Sequence, residues 1–209
     1  MLNWFKKDKS KEYKSRLLKA FPQTLQDDVK AVLDILPFST TDIKLADGQT
    51  HRVTELIHSN TLSVLLKREP LMIPDRIYFN EPAKENEAKL SPTQFTILHC
   101  IYLRHCDGHV RQRRLEQLID AADYWVTPFT LQLLGEYVYE LLPLLNKHVN
   151  EQTLASYRDF VNENPDYWQK TKSRMISYWN EYYRRTYPKL NQYLGQVIVD
   201  KIIGNSRFN

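Results

Sequence analysis

Five glycines in 209 residues is the feature that most restricts what this chain can fold into. All-β folds and phosphate-cradling α/β folds need glycine at many turns, where only a residue without a Cβ takes positive φ freely. A chain so poor in glycine is expected to be mainly α. Stacked α-hairpins or an irregular helical bundle are the architectures that fit. Apolar residues at 42% and charged residues at 26% are enough for a packed core, and the length suits one domain.

Hydrophobic periodicity places the helices. Leu25, Val29, Val32, Leu33 and Leu36 recur at helical spacing, with Thr24 and Asp27 as a capping box and Pro37 as the stop. Ser91 and Pro92 open a second helix carrying Phe95, Leu98, Ile101 and Tyr102. Val110, Leu115, Leu118 and Ile119 mark a third, and Thr127-Pro128 opens a fourth that Gly135 or Pro143 kinks or divides. Another is expected over 151–162. The run from Pro165 to Pro188 is strongly amphipathic. Trp168, Met175, Ile176, Trp179, Tyr182 and Tyr183 form its apolar stripe, with Lys170, Arg174, Arg184 and Arg185 opposite.

Residues 38–90 break this pattern. Asp47-Gly48 between two short alternating runs is a hairpin signal, and Pro70, Pro74 and Pro82 exclude a long helix. A small β-hairpin or irregular insert is expected there, with the polar run EPAKENEAKLSP as a loop or linker. The chain thus divides into a basic arm over 1–22, a helix plus mixed insert over 23–90, and a helical region over 91–209 packed into the same globular unit.

Charge is concentrated at the start. Residues 1–20 carry a balance of +5, which leaves −1 for the remainder of a chain whose net charge is +4. Lys6, Lys7 and Lys9, beside Leu2, Trp4 and Phe5, could meet an anionic membrane surface or nucleic-acid phosphate. Arg113, Arg114, Arg174, Arg184 and Arg185 are the further candidates for contact with a partner or a phosphate. The opening residues lack the long apolar core of a signal peptide, and no apolar run reaches the roughly eighteen residues of a membrane span. Cys100 and Cys106 make no disulfide framework. A reducing, cytoplasmic setting is expected.

The stretch HCIYLRHCDGHVRQRRLEQLI, from His99 to Ile119, collects both cysteines and three of the six histidines. His99, His105, His109 and Cys106 are the candidate metal ligands. Only His105 and His109 have chelating i, i+4 spacing, and Asp107-Gly108 interrupts the helix between them, so no metal and no cofactor is expected. The chain also lacks GxSxG, P-loop, GxGxxG and HExxH patterns. A helix followed by Asp107-Gly108-His109-Val110-Arg111 and a second helix resembles the turn of a HEAT-type helical repeat, over about residues 91–135. The resemblance implies that Asp107 closes the turn, Val110 enters the core and Arg111 packs along the repeat ladder. It also implies stacked hairpins used for scaffolding or binding rather than catalysis. The resulting expectation is a non-enzymatic protein-binding or adaptor module; nothing in the sequence speaks against a homo-oligomer. The second reading is nucleic-acid or anionic-membrane binding, and the third a divergent enzyme or metal site around His99–His109.

Overall fold

Residues 9–204 are described by the structure, a computed structural model. The first helix, α1 (Lys9–Leu18), buries Tyr13 and Leu17. Ala20 and Phe21 follow them into the core, and Phe21 stacks on Phe129 at 4.8 Å. The expected basic arm is therefore a docked helix from Lys9 onward; Lys6 and Lys7 lie outside the described residues. Next, α2 (Gln26–Asp34) buries Val29, Val32 and Leu33. Its Thr24–Asp27 capping box does not form. A 3-10 turn over Gln23–Leu25 leads into α2 instead, and Gln26 Nε2 donates back to the carbonyls of Leu18 and Phe21.

Two antiparallel hairpins occupy the insert. In the first, β1 (Asp42–Lys44) pairs with β2 (Thr50–Arg52), and Gly48 turns the chain with φ +83°. In the second, β3 (Thr61–Leu66) pairs with β4 (Glu69–Pro74) in the register Leu62↔Ile73 and Leu66↔Glu69. Its two-residue turn is Lys67-Arg68, both at positive φ (52° and 69°). Such a turn usually needs Asn-Gly, because a Cβ is crowded there. Here the Glu163 carboxylate accepts from both amides, Lys67 N at 2.9 Å and Arg68 N at 2.6 Å. Beside it Asn164 pairs with both Leu65 N and Leu65 O like a strand neighbour. The expected polar linker also contains structure, the short α3 (Lys84–Glu87).

The helical half begins with α4 (Pro92–Tyr102), whose capping box joins Ser91 and Gln94. After it come α5 (Gly108–Glu116), α6 (Thr127–Leu131), α7 (Leu141–His148) and α8 (Leu154–Glu163). The helix read through Thr127 divides near Gly135, where a 3-10 turn (Gln132–Gly135) gives way to extended backbone at Glu136. The chain closes with α9 (Pro165–Tyr178), a π-helical turn (Trp179–Tyr183) and α10 (Leu194–Ile203). The molecule is mainly α with a small β insert in its N-terminal half. One core runs through it, from Tyr13 on α1 to Ile202 on α10.

The apolar stripe of the last long helix is narrower than its sequence indicates. Tyr167, Trp168, Thr171 and Met175 are buried on α9, but Ile176 and Tyr182 are exposed. A π-turn holds one residue more than an α-turn, so side chains beyond it rotate off the original face. Tyr182 is turned outward by that step.

Candidate functional site

Glu136 is the only carboxylate in the apolar run TPFTLQLLGEYV, and it is 3% exposed. Three guanidiniums surround it. Arg76, just after β4, donates to Oε2; Arg104, after α4, lies 3.6 Å from Oε1; Arg111, on α5, lies 3.9 Å from Oε2. Backbone carbonyls take most of the remaining donors. Arg104 bonds Pro74 O and Asp75 O, and Arg111 bonds His105 O and Cys106 O. Burial lowers Arg104 to about 10, against the pull of Glu136. Burial also pushes the Glu136 carboxyl upward, but Arg104, Arg76 and Arg111 outweigh it and hold the carboxyl below its ordinary value. This cage joins the second hairpin, α4 and α5 at one point.

The His99–His109 stretch is dispersed by the fold. His99 is buried against Phe95 and Arg114, His105 is buried with Nδ1 accepting from Asp107 N, and His109 is exposed. Burial lowers both buried imidazoles to about 4, so they are neutral around pH 7. Cys100 is buried, Cys106 is partly buried, and burial raises both thiols. His51 is on β2 and His58 lies just before β3, where they make local bonds to Gln49 and Asn60. Among the described residues, no three His, Cys, Asp or Glu side chains come together to hold a metal ion. Asp107 caps α5 by accepting from His109 N, and its other oxygen accepts from Ala46 N in the first hairpin. Gly108 begins α5, Val110 is buried, and Arg111 serves the cage.

The candidate contact residues separate into three groups. Lys9 pairs with Glu55, and Arg113 pairs with Glu81 at 2.8 Å. Arg114 corrects the expectation of an exposed arginine. It is 6% exposed, and Glu81 and Glu87 grip it at 2.8 and 2.6 Å, so it has no open face for a partner. Arg174, Arg184 and Arg185 are exposed and form no ion pair with any described residue. Arg184 bonds Asn180 and lies over the Trp179 ring at 5.6 Å.

Beside these free arginines stands a feature that the sequence reading passed over. Seven of the thirteen tyrosines form one continuous array: Tyr137, Tyr139, Tyr178, Tyr182, Tyr183, Tyr187 and Tyr193. Tyr193 is its buried root, and Tyr139 bonds Tyr187 through their hydroxyls at 2.7 Å. Tyr183 donates to Tyr137 O, which ties the segment after Gly135 to the π-turn. The outer members are Tyr137 (54% exposed), Tyr182 (60%) and Tyr178, with ring centroids 6.1 to 6.4 Å apart. The available signal was Tyr178 and Tyr182 at i, i+4 spacing; Tyr137 comes to them only through the fold.

Below this ridge lies a cleft of about 550 Å³. Its walls are the start of β3 (Asn60–Leu62), Asp75, the turn at Gln132 and Gly135, and the α9 face of Tyr167, Lys170, Thr171 and Arg174. Gly135 packs directly on this face: a Cβ there would meet Arg174 Cβ at 3.5 Å, an ordinary contact. Two buried polar atoms in the lining, Gln132 Oε1 and the Tyr167 hydroxyl, have no hydrogen-bond partner. Thr171 is near the phenol without closing a bond to it, and burial raises that phenol to about 12.

The chain matches no known protein family, no curated protein and no solved structure. No helix of the described residues is long and apolar enough to cross a membrane.

Proposed function

We propose that this chain is a non-enzymatic, cytoplasmic protein-binding module whose contact face is the tyrosine ridge of Tyr137, Tyr178 and Tyr182. The observation that carries this reading is the ridge itself. Exposed Tyr137 and Tyr182, packed with each other and with half-buried Tyr178, stand beside arginines that form no ion pair with any described residue. Tyrosine and arginine are enriched at protein interfaces and at their energetic centres. Tyrosine gives large contact area with little side-chain entropy to lose, and here the buried array beneath has already ordered the rings. A π-turn that re-aims Tyr182 fits the frequent placement of such turns at functional sites. The likeness of the Asp107–Arg111 turn to a HEAT-type repeat supports the same class of function. Free cysteines support a reducing compartment.

Affinity capture with the full chain tests the ridge. A partner held by the wild type should be lost with Tyr137→Ala/Tyr182→Ala, which spares the backbone bond at Tyr137 O, and retained with Met72→Ala, an exposed side chain on β4. Self-association that disappears in the same double variant would identify the partner as a second copy. A wild type that captures nothing, or variants that behave alike, would sink the reading.

A further inference from the structure

The ridge and the cleft share one side of the molecule. Lys170, Arg174 and Tyr178 succeed one another along α9 at i, i+4 and i+8, so a segment lying across Tyr178 reaches Arg174 one turn below. Three observations say what the cleft would accept. First, Lys170 and Arg174 line it and form no hydrogen bond or ion pair with any described residue. Second, the arginine cage lies behind the same wall. Arg104 bonds Asp75 O and approaches Asp75 Oδ1 at 3.9 Å, and Glu136 directly follows the lining residue Gly135. Among the described residues, the carboxylates within ion-pair reach of these five cations are Glu136 and Asp75 alone, an imbalance that favours an anion. Third, the Gln132 carbonyl oxygen needs a donor, and the Tyr167 hydroxyl can give or take a proton. A bare dianion such as phosphate satisfies the cations but brings no N–H to Gln132, and it meets the Asp75 carboxylate. A carboxylate carried on a peptide brings one negative charge and an amide together.

We propose that this cleft receives an aspartate or glutamate side chain from an acidic segment of the partner protein, with Arg174 and Lys170 holding the carboxylate and Gln132 and Tyr167 bonding the adjoining peptide group. The proposal rests on the protein-binding reading for its source of ligand. The cleft has the volume of an ordinary ligand pocket. Its buried atoms make it selective, because a ligand that leaves them unpaired gains nothing from entering.

The test uses the full chain with 15N-labelled amides. N-acetylglutamate N-methylamide should shift the backbone amides of Gln132–Gly135 and Tyr167–Arg174 at low-millimolar concentration. Its glutamine counterpart and inorganic phosphate should shift them far less. Arg174→Gln should weaken the glutamate probe about tenfold, the scale of one charge-assisted hydrogen bond. Tyr167→Phe removes only a buried hydroxyl without a partner, so it should weaken the probe while leaving thermal stability unchanged or raised. No shift at the cleft, an equal response to the glutamine or phosphate probes, or unweakened binding by both variants would each overturn the proposal. The titration reads the cleft alone and partner capture reads the ridge, so either can fail without the other.

Discussion

Arg76, Arg104 and Arg111 meet one carboxylate inside the protein, whereas Arg174, Arg184 and Arg185 stand along α9 and its continuation and form no ion pair with any described residue. The first group joins segments distant in sequence and spends its donors on carbonyls that have lost their water. The second group keeps its donors in solvent, apart from the one Arg184 gives to Asn180, and it stands beside the aromatic array. One residue type therefore does two kinds of work. The difference lies in what surrounds the guanidinium, not in any local sequence signature. Arg113 and Arg114 show how narrow the boundary is. Both pair with Glu81, yet the first is mostly in water and the second is enclosed by Glu81, Glu87 and the face of Tyr102 at 5.0 Å.

Acid should break the interior side of this contrast with the largest effect. His99, His105 and His148 are buried, and desolvation lowers each to about 4 from 6.5. A histidine whose folded pKa is depressed binds its proton more readily when unfolded. The stability is complete above pH 6.5 and is lost as pH falls from 6.5 toward 4. At pH 5 the loss is roughly 2 kcal/mol per histidine, from 1.4 kcal/mol per pKa unit. Glu136 does not confuse this window, because its carboxyl is held below its ordinary value of 4.5 and titrates lower still. Urea unfolding at pH 7 and pH 5 should show a fall of several kcal/mol, and equal midpoints would show that these imidazoles protonate without cost.

Removing the cage's single anion comes next. Glu136→Gln keeps the shape and a hydrogen-bond acceptor but leaves Arg76, Arg104 and Arg111 as uncompensated buried charges. Breaking one side of such a group costs about 3–5 kcal/mol. Thermal unfolding should shift down by roughly 10 °C on the scale of about 2–4 °C per kcal/mol. Glu140→Gln, four residues on and exposed, is the control expected to change little. If the two variants melt together, the cage is not what fastens the hairpin to α4 and α5.

How much of this could be read beforehand depended on the range of the interaction. The scarcity of glycine, the Ser91-Pro92 cap with Gln94, the Asp47-Gly48 hairpin and the break near Gly135 are local matters of φ or of one turn. All four are legible in the sequence, apart from the side-chain half of the Ser91 box. The Lys67-Arg68 turn is not. Its two positive φ values are held by Glu163, nearly a hundred residues later in the chain. The cage resists reading for the same reason, since positions 76, 104, 111 and 136 share no spacing. In the candidate site, the helical wheel found Lys170 and Arg174 but placed Tyr182 with the buried stripe. A wheel assumes an even 100° per residue, and the π-turn violates it at the point where the ridge is built.

The smallest expected effect sharpens the exterior side. Arg185 forms no hydrogen bond or ion pair with any described residue, and unlike Arg184 it lies over no ring. Its truncation removes no buried surface and strands no charge in the interior. Arg185→Ala should therefore change unfolding free energy by less than about 0.5 kcal/mol. The ridge reading still requires a consequence for binding. Loss of an interface-rim charge acts mainly on the rate of association and on its dependence on salt. Stopped-flow or surface-binding measurements with the captured partner should show slower association for Arg185→Ala at low ionic strength, with dissociation nearly unchanged. Added salt should bring the wild type toward the variant. An association rate that is identical in the two proteins at low salt would remove Arg185 from the contact face. A stability loss of more than 1 kcal/mol would mean instead that this arginine belongs with the buried ones, and the division between the two groups would have to be redrawn.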